Sequence, residues 1–106
     1  MSDSNATWGR RLKEARVAAG LSQKQLGIQA GLDQFVASTR INRYELGIHK
    51  ADYQIARRLA DVLNIPTGYF YTEDDSLADI MLVYHRLTNR KKNDLLKLAK
   101  KIEESA

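Results

Sequence analysis

The sequence predicts an all-α protein. Apolar residues recur at three- and four-residue spacing in successive segments, which is the period of an amphipathic helix. Serine, aspartate or threonine stands where several segments begin, and glycine or proline stands where others end. With 106 residues and 43% hydrophobic content, the chain can form one core, as a single domain or as a domain with an appendage.

The first helix is predicted from a stripe of apolar residues that ends before Gly20: Trp8, Leu12, Ala15 and Ala19. The first five residues are expected to be disordered or to form a fraying cap, and Asn5 or Thr7 could cap the helix. Trp8 is expected to anchor the core or its edge rather than to bind a ligand.

The stretch from Leu21 to Gly47 predicts two short helices across a turn. Ser22 can cap the first helix, and Gly31 permits the left-handed conformation that ends it. The second helix has an apolar side, with Val36, Ile41 and Tyr44, and a polar side, with Thr39, Arg40, Asn42 and Arg43. Two short helices, the second polar and basic, predict a helix-turn-helix.

Four motifs in this order resemble the phage-repressor family, whose members are Cro- and lambda-repressor-like, or XRE-like. They are Gly9 to Arg16, the run GLSQKQLGIQAG, Tyr44 to Gly47, and Leu59 to Ile65. The resemblance covers roughly residues 6 to 71 and implies a five-helix lambda-repressor-like DNA-binding domain.

The chain departs from that family by about four extra residues between Gly31 and Glu45, somewhere in Leu32 to Val36. One interpretation lengthens the turn, with Ser38 capping the recognition helix. The other adds a helical turn, with Asp33 as the cap. We favour the longer turn and a helix that starts near Val36 or Ala37. Phe35 could face DNA, but burial beneath the turn is the favoured expectation.

Asp52 can cap a fourth helix, whose apolar stripe is Ile55, Ala56, Leu59, Ala60 and Leu63. Pro66 ends that helix and suits the first turn of a short fifth helix at 66–71. The acidic stretch that follows is the best internal boundary. We therefore expect a DNA-binding domain at 1–72 and a second unit at 73–106.

The second unit is predicted to be a C-terminal two-helix extension, with Thr88 as the cap between the helices. The stripes are Leu77, Ile80, Met81, Tyr84 and Leu87, then Leu95, Leu98, Ala99 and Ile102. A pair this short has little to bury these stripes against except the main domain or a second copy. We expect a helical hairpin that docks or dimerises. The run Arg90 to Lys92 is read as a solvated basic face.

DNA contacts are expected from the start of the second helix to the loop before the fourth. The resemblance implies that Gln23 contacts the backbone, and its amide can donate to a phosphate. Ser38 and Thr39 can reach bases, and Arg43, four residues after Thr39, has a fork suited to guanine.

Other residues are expected to support these contacts. Arg40 and Asn42 flank the base-reading face. The resemblance places Lys50, and less strongly His49, against the DNA backbone. It also implies that Arg16 and Glu45 pair with each other as a structural salt bridge.

Other classes of function find no support in the sequence. There is no cysteine, and His49 and His85 have no ligand or triad spacing, so no metal, cofactor or enzyme is expected. The N-terminus lacks a signal peptide, and no run approaches membrane-spanning length. A net charge of +4 favours a polyanionic partner.

The sequence therefore predicts a sequence-specific regulator of bacterial or phage origin, cytoplasmic and nucleoid-associated. We expect a homodimeric repressor that binds double-stranded DNA at a pseudo-palindromic operator. Two alternatives stay open: an antitoxin-like protein that also neutralises a protein partner, and a helical module that only holds a protein partner.

Overall fold

The computed structural model describes residues 4–105, and every regular element in that range is helical. The elements are α1 (Ser4–Ala18), α2 (Gln23–Gln29), α3 (Ala37–Glu45), α4 (Tyr53–Leu63), a 3₁₀ helix (Thr67–Tyr71), α5 (Asp75–His85) and α6 (Asn89–Glu104). The all-α prediction is confirmed. The predicted fifth helix is present as the 3₁₀ helix, which follows Pro66.

Three predicted caps are confirmed. Ser22 Oγ accepts a hydrogen bond from the Gln25 amide at 3.0 Å, and the Gln25 side chain accepts one from the Ser22 amide at 2.8 Å. This reciprocal pair is a capping box, which satisfies two amides at once. Asp52 caps α4 and Thr88 caps α6, and each side chain accepts one hydrogen bond from a backbone amide of the first turn.

The predicted start of α1 is wrong. The helix begins at Ser4, so Asn5 and Thr7 lie inside it rather than at its cap. A Cβ placed on Gly47 would lie 3.4 Å from the Asn5 carbonyl oxygen, so the first turn of α1 packs against the loop after α3. This tertiary contact has no signal in the local sequence. Residues 1–3 lie outside the described residues.

The core draws one large side chain from each of five elements. Leu12, Leu26, Ile41, Leu59 and Phe70 are fully buried and come from α1, α2, α3, α4 and the 3₁₀ helix in turn. Each of these elements therefore loses buried apolar surface if another is displaced.

Trp8 is also buried, as predicted for a core anchor. Its ring centroid lies 4.7 Å from that of Phe70 and 6.0 Å from that of Tyr44, the latter in an edge-to-face arrangement. Trp8 thereby joins α1 to α3 and to the 3₁₀ helix.

Two glycines let α3 approach its neighbours closely. A Cβ on Gly9 of α1 would lie 2.3 Å from the Glu45 carbonyl oxygen. A Cβ on Gly27 of α2 would lie 2.7 Å from the Ala37 Cβ. Neither distance is sterically allowed, so α1 and α2 both contact the α3 backbone only because these positions lack a side chain.

Helix α5 is docked on the main body by a buried arginine. Arg11 on α1 donates hydrogen bonds to the carbonyl oxygens of Thr72 and Glu73, at 3.0 and 3.2 Å, and to Asp75 at 2.8 Å. The side chain of Ala78 is fully buried. The predicted division between residues 72 and 73 thus falls in a segment that is tied to α1.

The predicted C-terminal two-helix extension is present as α5 and α6, and its dimerisation stays a prediction. Helices α5 and α6 do not pack along each other, and α6 buries no residue. Lys92 lies over the Tyr84 ring at 5.2 Å, which links the two helices near their joint. Arg86 ties the end of α5 to the Asn64 carbonyl oxygen instead, so α5 docks on the main body while α6 projects.

Among residues 4–105, no helix is long and apolar enough to cross a membrane.

Candidate nucleic-acid interface

Helices α2 and α3 form the two-helix unit that the sequence predicts. Gly31 has a φ of +90°, a left-handed conformation, and it follows the end of α2. Leu26 and Ala30 of α2 are buried, as their shared face predicts. A turn at 31–36 then leads into α3.

The longer-turn interpretation is confirmed, because α3 starts at Ala37. Asp33 Oδ1 accepts a hydrogen bond from the Phe35 amide at 2.8 Å, and the Val36 amide donates to the Asp33 carbonyl oxygen at 3.1 Å. Val36 occupies the cap position without a side-chain cap bond. Ser38 is therefore not the cap but lies in the first turn of α3.

The expected burial of Phe35 is wrong: its side chain is 86% exposed. Leu32 is buried at the start of the turn, and Ala37 is buried at its end. These two side chains fill the space beneath the turn, which leaves Phe35 in solvent. Val36, expected on the apolar side, is also exposed.

One face of α3 is polar and free of negative charge. Ala37, Ile41 and Tyr44 are buried, and the exposed residues of the helix are Ser38, Thr39, Asn42 and Arg43. The only acid of α3 is Glu45, whose side chain is 4% exposed. This face therefore presents donors, acceptors and a cation, which are the groups that read base edges and phosphates.

The two arginines of α3 differ in whether their side chains are bound within the protein. Arg40 is half-buried, and its Nη2 donates to the Tyr44 hydroxyl at 2.6 Å. Arg43 is exposed and makes no side-chain hydrogen bond or ion pair within residues 4–105. Arg43 is thus available to a ligand without breaking a protein contact, whereas Arg40 is held along its own helix.

Arg16 and Glu45 form a nearly buried ion pair. Arg16 Nε lies 2.6 Å from Glu45 Oε2, and Arg16 Nη2 lies 3.1 Å from Oε1, so the contact is bidentate. Arg16 Nη1 also donates to the Leu21 carbonyl oxygen at 3.0 Å. The pair ties α1 to the end of α3 and to the turn before α2.

Gln23 joins this network, which the sequence reasoning missed. Its Nε2 donates to Glu45 Oε1 and to Asn42 Oδ1, both at 3.1 Å. Both amide hydrogens are thus used inside the protein, and a phosphate contact through that nitrogen requires one bond to break. Gln23 and Asn42 are 19 residues apart, and no local pattern links them.

His49 and Lys50 lie in the loop after α3 and are exposed. The amides of Ile48 and His49 donate to the Arg43 carbonyl oxygen, at 3.0 and 3.4 Å, after Gly47 turns the chain at a φ of +74°. The loop therefore folds back onto the end of α3. This places both side chains at the opposite end of α3 from the 31–36 turn.

A short helix with one buried side, a glycine turn and a second helix with an exposed basic face define a helix-turn-helix domain. Residues 8–68 match the model of a protein family described as "Helix-turn-helix domain". The chain belongs to this family, and the predicted resemblance to phage-repressor-like helix-turn-helix regulators is confirmed.

The solved structures include a similar one, described as the crystal structure of transcriptional regulator BswR. It matches with a TM-score of 0.82 and 42% sequence identity, over 88% of this chain and 92% of that chain. No curated protein matches the sequence. The part of this chain that is covered is longer than the family match at residues 8–68.

Proposed function

We propose that this protein is a cytoplasmic, nucleoid-associated repressor that binds a pseudo-palindromic operator as a homodimer. The observation that carries the proposal is the exposed face of α3, which combines Ser38, Thr39, Asn42 and Arg43 with no exposed acid. The family match and the likeness to a structure titled as a transcriptional regulator support DNA as the partner. Occupation of promoter DNA then blocks transcription.

Each contact residue has a distinct proposed role. Arg43 reads a guanine, and Thr39 with Ser38 reads bases near the start of α3. Lys50, His49 and Arg40 meet the phosphate backbone. Gln23 holds Asn42 in place through a 3.1 Å hydrogen bond. If Gln23 binds a phosphate through Nε2, that nitrogen loses one of the two hydrogen bonds it donates within the protein.

Selection from a random DNA library tests the operator. We expect an inverted repeat whose half-sites lie about 34 Å apart, because a two-fold dimer places two recognition helices in successive major grooves. The affinity is expected to fall linearly with salt on logarithmic axes, since bound phosphates release counterions. Binding that is weak and independent of sequence at every salt concentration would contradict the proposal.

The proposed dimer interface is the free apolar surface of α5 and α6. The exposed apolar residues of these helices are Leu77, Ile80, Val83, Tyr84, Leu96, Leu98 and Ile102. None of the 16 residues of α6 is fully buried, so burial of its apolar side chains against a partner would stabilise the helix. A second copy supplies the same surface, as a two-fold interface requires.

We expect the wild-type protein to be a dimer and the double variant Leu98→Asp, Ile102→Asp to be a monomer. Two carboxylates on the exposed stripe must be desolvated if the interface forms, which opposes association. Val17→Asp on α1 is the matched control, since Val17 is similarly exposed but lies off this surface, and it is expected to remain a dimer. Light scattering coupled to size exclusion measures all three proteins.

The same measurement tests the antitoxin-like alternative. The exposed apolar side chains of α6, none of which is fully buried, favour a protein partner of some kind. A wild-type protein that is monomeric at micromolar concentration would contradict the homodimer and favour a different protein as the occupant of α6.

A further inference from the structure

Phe35 has the most exposed large apolar side chain among residues 4–105. A single exposed aromatic is common on protein surfaces and by itself indicates nothing. Its position relative to α3 is what distinguishes it, because it stands directly before the helix that carries the DNA-facing side chains.

Phe35 lies two residues before the start of α3, whose exposed face carries the proposed DNA contacts. Val36 already has helical torsions near the α region, and its carbonyl oxygen accepts the first hydrogen bond of the helix from the Arg40 amide at 2.9 Å. From Phe35, the exposed residues Ser38, Thr39, Asn42 and Arg43 follow at three, four, seven and eight positions. Phe35 is therefore nearest in the chain to Ser38 and Thr39, at the N-terminal end of this face.

The turn also holds Phe35 in position. Asp33 Oδ1 accepts a hydrogen bond from the Phe35 amide at 2.8 Å, and the Asp33 carbonyl oxygen accepts one from the Val36 amide at 3.1 Å. A phenylalanine has only two side-chain torsions, so a ring on an ordered turn loses little conformational entropy when it binds.

We propose that Phe35 binds DNA and packs against the 5-methyl group of a thymine at the edge of each half-site. The N-terminal residues of a recognition helix contact base edges, and the thymine methyl is the one apolar group in the major groove. This inference rests on the proposed DNA-binding function, and it adds a specificity-determining residue outside α3.

DNA suits this position better than a second copy of the chain. The exposed residues that follow Phe35 along the chain carry hydroxyl, amide and guanidinium groups, whereas the centre of a protein interface is depleted of charge. Val36 beside it is also exposed and apolar, but the larger number of exposed apolar residues lies on α5 and α6. The α3 face has no exposed acid, which favours a polyanion along α3, although the exposed carboxylate of Asp33 lies two residues before Phe35.

The test begins with the wild-type protein and the operator selected from a random library. Each thymine is replaced in turn by deoxyuridine, which lacks only the 5-methyl group. We expect one position in each half-site to lose about fourfold in affinity, the scale of burying a single methyl group. That position is expected at the end of the half-site where the N-terminus of α3 lies.

The variant Phe35→Ala is expected to bind the thymine and deoxyuridine operators equally. Its melting temperature is expected to be unchanged, because the ring has no buried surface to lose. Gln34→Ala, at an exposed neighbour in the same turn, is the matched control and is expected to keep the preference for thymine at that position.

The outcomes separate this inference from the proposed function. If the wild-type protein selects no sequence, the proposed function fails and this inference fails with it. If it selects an operator but no thymine methyl affects binding, or Phe35→Ala keeps the preference for thymine, only the role of Phe35 is overturned. A change from dimer to monomer in Phe35→Ala would also overturn it, by assigning the ring to self-association.

Discussion

Glu45→Ala is expected to lower the free energy of unfolding by about 3–5 kcal/mol, the cost of removing one partner from a buried ion pair. Arg16 is 13% exposed and donates hydrogen bonds to both carboxylate oxygens of Glu45, so the variant leaves a poorly solvated guanidinium without its counter-charge. Gln23 loses an acceptor in the same change. Thermal and denaturant unfolding measure the effect.

Glu14→Ala is the matched control for this prediction. Glu14 also pairs with an arginine, Arg10 at 3.4 Å, but both side chains are about half exposed. Glu14 lies 4.0 Å from the buried Arg11 as well, but Arg11 keeps its ion pair with Asp75 at 2.8 Å when Glu14 is removed. Exposed pairs contribute roughly 0–1 kcal/mol, so this variant is expected to change the stability little. Equal stability losses in the two variants would contradict the special role of the buried pair.

A double-mutant cycle separates the pair from its surroundings. Arg16→Ala is also expected to be strongly destabilising, since it leaves Glu45, which is 4% exposed, without its cation. The double variant removes both charges, so its loss is expected to be smaller than the sum of the single losses by on the order of 1–3 kcal/mol. Additive losses would show that the two residues act independently.

The local signals of the sequence predicted the fold well. Ser22, Asp52 and Thr88 cap the helices they precede, and Gly31 and Gly47 take positive φ where helices end. These features depend on a few neighbouring residues, so the chain alone determines them. The apolar stripes of α1 and α4 predicted the core for the same reason.

Features that depend on distant contacts were missed. The sequence analysis gave Gly27 no structural role, yet Ala37 packs against it at a distance that excludes a Cβ. It gave Arg11 no role of its own either, yet this residue is buried against the chain at Thr72 and Glu73, more than 60 residues away. Spacing along one helix cannot reveal which partner the rest of the chain supplies.

The site was predicted unevenly for a related reason. Side-chain type indicated Arg43 as a ligand contact, and the helix exposes it. Side-chain type could not tell that Arg40, on the same helix, is held by the Tyr44 hydroxyl. The position of Phe35 depended on whether it or Leu32 filled the space beneath the turn, and two apolar residues three positions apart give no local basis for that choice.

Arg43→Ala is expected to weaken binding to the selected operator by about 1–3 kcal/mol and to relax the sequence preference at one position of each half-site. The guanidinium has no side-chain partner within residues 4–105, so its removal breaks no protein contact and the melting temperature is expected to be unchanged. Library selection and titration with the variant measure both effects. This combination of full stability and lost specificity is what distinguishes a base-reading residue from a structural one.

Two further variants identify how Arg43 acts. Arg43→Lys keeps the charge but cannot form the two parallel hydrogen bonds that an arginine makes with guanine, so it is expected to bind random DNA normally and the operator poorly. Arg90→Ala, which removes the same charge from the start of α6, is expected to keep the sequence preference. If Arg43→Ala weakens binding to operator and random DNA by the same factor, the side chain contacts phosphate rather than a base, and the sequence must be read by Ser38, Thr39 and Asn42.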